Sequence, residues 1–90
     1  MRILIRSQDN KTLMEPKILY IFSPTSSEIY NVYGRTDAGI IASLGTYETE
    51  ERAIEVLNDI TRYNNLIEKT LFMGKEESKF FAPVYYMPEK

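Results

Sequence analysis

Three groups of side chains in this chain have the types and spacing for chemistry. Glu55 and Asp59 lie four residues apart in a helical run, so both carboxylates share one helix face. Such a pair serves as a general acid and base, or as two ligands of a hard cation, when further oxygen ligands converge on the ion. Nothing in the sequence brings a third ligand, and a solvated helix face is the plainer reading. Arg2, Arg6 and Arg35, with Lys11 and Lys17 near them, form the second group. Arg2 and Arg6 share a strand face about 13 Å apart and would contact an extended small anionic ligand. The plainer reading is surface charge with acidic neighbours. Tyr30, Tyr33, Tyr47, Tyr85 and Tyr86 make the third group. They could line a pocket that stacks a base or ring, or they could be core edge and subunit interface, where aromatic residues concentrate anyway.

What the chain lacks narrows the chemistry further. Among its 90 residues there is no histidine and no cysteine. The commonest metal ligand and neutral-pH base, the thiolate nucleophile and any disulfide framework are therefore missing. A serine or threonine nucleophile would need a lysine or carboxylate as its base, and no such constellation is visible. The reading is a non-enzymatic protein with no metal and no cofactor. The net charge of −2 and pI near 5.1 are a poor electrostatic footprint for a nucleic-acid binder. No apolar run reaches the ~18 residues a membrane helix needs. Met1 to Arg6 carries charge on either side of a three-residue apolar run, unlike a signal peptide. The expectation is a cytoplasmic protein of one domain, residues 1–90, made in a bacterial host cell.

The element that must position these groups begins after Leu44. Gly45-Thr46-Tyr47 ends a strand, and Thr49 is a helix N-cap whose hydroxyl accepts a first-turn N–H. Glu50 and Glu51 place negative charge at the positive end of the helix dipole. Ala53, Val56, Leu57, Ile60, Ile67 and Leu71 recur at helical spacing, with Asn64 interrupting. The pattern predicts a helix over 49–63, weak at Tyr63-Asn64-Asn65, with continuation to Met73 and a stop at Gly74. Glu48–Arg52 and Asp59–Arg62 are spaced as helix-surface ion pairs.

The remaining chain reads as strands. Ile3 and Ile5 alternate with Leu4 and Arg6, Gln8-Asp9-Asn10-Lys11 is a turn, and Thr12 to Glu15 returns until Pro16 stops it. Lys17 to Ser23 is apolar on both faces, which predicts a central strand covered on both sides. Ser23 to Ser27 is a loop. Glu28 to Arg35 and Ile40 to Tyr47 form a hairpin around Thr36-Asp37-Ala38-Gly39. Lys75 to Lys79 is a charged loop. Phe80 to Met87 is a last strand, and Pro83 within it implies that the strand lies on an edge or starts late. Hairpins before the helix predict an α+β fold: a mostly antiparallel sheet of five to six strands with one main helix on one face. The aromatic ends predict a homo-oligomer.

Two resemblances follow from these residues. Leu44-Gly45-Thr46-Tyr47-Glu48-Thr49-Glu50-Glu51-Arg52-Ala53 resembles the strand-to-helix step of AP2-type DNA-binding domains over about a tenth of the chain. That family reads DNA with sheet arginines and tryptophans. This chain has no tryptophan, so the likeness is read as a shared way of turning a strand into a helix. The segments Ile3-Leu4-Ile5-Arg6-Ser7-Gln8-Asp9, Leu44 to Ile60, and Val84-Tyr85-Tyr86-Met87-Pro88 are similar to small uncharacterised proteins of Firmicutes and their phages. That similarity implies a phage or prophage origin and no particular activity. The resulting expectation is an interaction protein acting on a host defence component, either a host protein or a small nucleotide signal. The alternative is a nucleic-acid-binding accessory protein that uses its sheet.

Overall fold

The computed structural model describes residues 3–24, 28–72 and 83–90, the last three of the helix by backbone alone. Arg2, residues 25–27, the expected helix stop at Met73 and Gly74, the charged loop 75–79 and Phe80-Phe81 lie outside the described residues. The elements run β1 (Leu4–Arg6), β2 (Leu13–Met14), β3 (Ile18–Phe22), β4 (Tyr30–Arg35), β5 (Ile41–Tyr47), α1 (Glu50–Phe72) and β6 (Val84–Tyr86). This is the expected α+β class, with one helix and mostly antiparallel strands. The sheet, however, is two sheets of three strands, ordered β2-β1-β6 and β3-β4-β5. Buried Pro16 lies between β2 and β3, where a residue without a backbone donor cannot extend a ladder. β1 pairs antiparallel with β2 and parallel with β6, and the second sheet is wholly antiparallel.

The helix starts as the sequence dictates. Thr49 Oγ1 accepts the Arg52 N–H at 3.1 Å, and the Thr49 carbonyl accepts the Ala53 N–H at 3.2 Å. Ala53, Val56 and Ile60 are sealed in the core, with Leu57, Tyr63 and Ile67 packed at its margin. Burying each large apolar side chain contributes roughly 1.5–3 kcal/mol, far more than any surface pair on this helix. Asn64 does not break the helix. It falls on the buried stripe, four residues beyond Ile60, and α1 continues unbroken to Phe72. Of the expected helix pairs, Asp59–Arg62 forms at 3.4 Å, whereas Arg52 turns to Glu55 at 3.6 Å instead of Glu48. Ile3, Ile5, Met14, Val32, Leu44, Tyr47, Tyr85 and Met87 complete the core, so both sheets close on the same helix stripe.

Two turns carry the backbone features the sequence announces. In the first, Ser7 Oγ donates to Asp9 Oδ1 at 2.5 Å and accepts the Thr12 N–H at 3.0 Å, with Asn10 at φ 64°. In the second, Gly39 stands at φ 87° and donates to the Thr36 carbonyl at 3.0 Å. That left-handed conformation suits glycine and strains a side chain.

The largest departure from expectation is β3. Among the described residues it is an edge strand, paired with β4 alone, and its outer face is open. Leu19 and Ile21 pack on the core, while Ile18 and Phe22 are 45% and 51% exposed. Its face is fixed by its neighbours: the outward positions of β4 and β5 include Asn31, Arg35, Ser43 and Thr46, which belong in water. β6 is an edge strand, as Pro83 implied, and the Pro83 carbonyl accepts the Leu4 N–H at 2.8 Å.

Candidate docking surface

The tyrosine group does not form one pocket. Tyr47 is 2% exposed, and its hydroxyl donates to the Pro88 carbonyl at 2.9 Å. Burial pushes its phenol up to about 12, against a small opposing effect of Arg52. Tyr85 is also buried, and its hydroxyl donates to Asp59 Oδ2 at 2.6 Å. Burial first, then that hydrogen bond to a carboxylate, pushes its phenol well above the usual value. Both are structural side chains whose polar tips are satisfied within the fold. Tyr30 packs against the core and borders a concavity of about 520 Å³ shared with Glu28, Glu48, Glu50 and Glu51, a setting hostile to anions. Tyr86 points away from the core on β6, 66% exposed. Only Tyr33 stands on an open face with aromatic company.

The cationic and acidic groups are likewise dispersed. Arg6 Nη1 donates to the Asn10 carbonyl at 3.2 Å, bracing its own hairpin. Arg35 is exposed on the other sheet, at the end of β4. Arg2 lies outside the described residues. Lys17 Nζ meets Asp37 at 3.1 Å. The pair Glu55 and Asp59 is occupied locally, by Arg52 in one case and by Arg62 and Tyr85 in the other. Among the described residues no three acidic side chains are grouped to hold a metal ion. The Ser7 hydroxyl and then the Lys11 N–H hold the exposed Asp9 carboxyl below its ordinary range, a turn feature with no site around it.

What the fold does assemble is the outer face of the β3-β4-β5 sheet. The register places Ile18 beside Arg35, Tyr20 beside Tyr33 and Phe22 beside Asn31, then Tyr33 beside Ser43 and Arg35 beside Ile41. Tyr20 and Tyr33 stack at 5.6 Å between centroids and 21° between planes, and Phe22 meets Tyr33 edge-on at 6.2 Å. Ile18, Phe22 and Ile41 are each about half exposed around this ring pair. Thr46 Oγ1 and Asn31 Oδ1, 2.8 Å apart, make the polar rim. A contiguous apolar patch with a polar rim is what interaction sites look like on small soluble domains.

Sequence reasoning found Tyr33 and Arg35 on this face but missed Ile18, Tyr20, Phe22 and Ile41. The signal was present in the polar residues alternating along the next two strands. Pairing puts Ile18, Tyr20 and Phe22 on the same side as Asn31, Arg35 and Ser43.

The two edges of this sheet differ. At β5 a bulge opposite Val32 and Tyr33 leaves Leu44 as the extra residue, and its carbonyl accepts the Gln8 N–H at 2.8 Å. The Gln8 side-chain amide then pairs with Thr46 in both directions, accepting its N–H at 3.0 Å and donating to its carbonyl at 3.2 Å. The same Nε2 reaches the carbonyls of Pro88 at 2.9 Å and Glu89 at 2.8 Å. Arg52 Nε holds the Lys90 carbonyl at 2.9 Å. Gly45 is closely packed here: a Cβ would stand 3.0 Å from the Tyr47 hydroxyl and 3.2 Å from Met87 Cε, so those side chains would have to give by a few tenths of an ångström. The β3 edge has no counterpart to this cover among the described residues.

No protein-family model, characterised protein or solved structure matches this chain. No described helix is long and apolar enough to cross a membrane.

Proposed function

We propose that this chain is a non-enzymatic interaction protein that docks through the outer face of its β3-β4-β5 sheet. The observation that carries the reading is the outer row of an edge strand, exposed Ile18 and Phe22 flanking half-buried Tyr20, continued by half-buried Tyr33 and exposed Ile41. Leaving such residues in water forgoes burial that Val32 and Leu44 obtain on the opposite face of the same sheet, and a partner recovers it. Under the phage or prophage origin that the sequence resemblance implies, the partner is a component of host defence in the bacterial cytoplasm. Exposed Ile18, Phe22 and Ile41 outweigh Arg35 on this face, which fits an apolar protein surface better than an anionic nucleotide signal.

The test is affinity capture from producing cells with the wild type, an Ile18→Lys/Ile41→Lys variant, and a Glu55→Gln variant on the helix. A host protein retained by the wild type and the helix variant, and lost by the sheet variant, supports the reading. Equal capture by all three contradicts it.

The stacked Tyr20–Tyr33 pair favours a second reading, a platform on which single-stranded bases stack. Binding to a labelled oligonucleotide that falls steeply with salt would support it. The net charge of −2 weighs against it.

A further inference from the structure

We propose that the β3 edge pairs antiparallel with the same strand of a second copy of this chain, about a twofold axis at Tyr20. This rests on the reading of the outer face as a docking surface and names one occupant of its open border. Three observations lead there. First, the chain devotes Gln8, a bulge at Leu44 and its last residues to covering the β5 edge, and leaves β3 without proline, bulge or charge between Ile18 and Phe22. An uninterrupted apolar edge is a template for another strand. Second, β3 is complementary to itself. With Tyr20 on the axis, Ile18 faces the partner's Phe22 and Leu19 faces the partner's Ile21. Residues directly opposite in an antiparallel pair lie on one face, so outer rows join outer rows and inner rows join inner rows. The stacked Tyr33–Tyr20 pair then continues into the partner's Tyr20 and Tyr33 as a four-ring ladder on one six-stranded sheet. Third, no like charges meet. Lys17 comes opposite the partner's Ser23, and Asp37 already neutralises it at 3.1 Å. A foreign strand would have to supply the matching apolar sequence; a second copy carries it. A five-residue edge is a small contact, so association is expected to be reversible and concentration-dependent.

The chain has no cysteine, so Tyr20→Cys introduces a single thiol at the axis. Mild oxidation is expected to give a disulfide-linked dimer, whereas Ile41→Cys, on the same face two strands away, stays monomeric. Sedimentation equilibrium of the wild type is expected to show a monomer–dimer equilibrium that Tyr20→Lys abolishes with unchanged far-ultraviolet circular dichroism. Ile18→Lys serves if that variant does not fold. A wild type that stays monomeric at every concentration overturns the proposal. So does a dimer indifferent to the lysine variants, or equal crosslinking at both thiols. Salt-sensitive binding of a labelled single-stranded oligonucleotide by a monomeric wild type reassigns the edge to nucleic acid and also overturns it. If the chain is monomeric but Ile18→Lys/Ile41→Lys still loses a captured host protein, the pairing fails and the docking reading stands. If that variant loses nothing, both fail.

Discussion

The β5 and β3 edges of one sheet show two treatments of the same problem. A strand edge offers backbone donors and acceptors with no partner, and a folded chain either covers them or leaves them for something else. At β5 the cover runs from Leu44 to Tyr47. A side-chain amide imitates a strand residue against Thr46, a bulged carbonyl takes a backbone N–H, and Tyr47 and Arg52 fasten the last residues over the joint. This joint also ties the two sheets together, since Gln8 follows β1 and bonds Leu44 and Thr46 of β5. At β3 no described residue covers the edge, and Ile18 and Phe22 on its outer face are about half exposed. Among the described residues, the contrast teaches that sealing is local: side chains and backbone cover part of the β5 edge and none covers β3.

Several substitutions break or sharpen that contrast. The largest effect belongs to the core between the helix and the sheets. Ile60→Ala, at a position with no exposure, is expected to destabilise by about 3 kcal/mol in urea unfolding. Ile41→Ala on the open face should stay within about 0.5 kcal/mol in the monomer. Equal losses at the two positions would erase the distinction between faces. Next comes Gln8→Ala, which removes the side-chain bonds to Thr46, Pro88 and Glu89. About 2 kcal/mol is expected from several modest hydrogen bonds, with faster amide exchange at Thr46. A third, smaller effect is Gly39→Ala. At φ 87° it should cost about 1 kcal/mol in thermal or urea unfolding without touching either edge.

Much of this was readable beforehand, for physical reasons. Thr49, Glu50 and Glu51 announce a helix start by local chemistry alone, and Gly39 announces a turn by its backbone freedom. Ile3 and Ile5 announce a buried strand face by simple alternation. The reading of β3 failed because local pattern does not say which strands pair. Ile18 to Phe22 is apolar on both sides, and only its ladder with β4 shows that one side faces water. Tyr47 and Tyr85 were read as possible pocket residues because tyrosine suits both surfaces and interiors. Their partners, Pro88 and Asp59, lie 41 and 26 residues away in the chain, a separation no short motif encodes. Asn64 interrupts the apolar stripe and marks a weak spot because it is polar, yet its place on that stripe makes it part of the buried face.

The sealed joint also has a pH signature, the smallest effect expected. Tyr47 has its phenol raised from 10.0 to about 12, so the folded state favours the protonated form. That contribution is fully present below pH 10 and is lost as pH rises from 10 through about 12. Stability followed by circular dichroism should decline over that window, and Tyr47→Phe should flatten the decline. An unchanged decline in that variant would remove Tyr47 as its cause.

The most direct test of the open edge is a concentration series of amide proton–nitrogen spectra, from about 10 μM to about 1 mM, where small interfaces populate. The account predicts progressive shifts at Ile18, Leu19, Tyr20, Ile21 and Phe22, with Gln8, Thr46 and Met87 unmoved. Shifts confined to the β5 side, or none at all across the series, would contradict it.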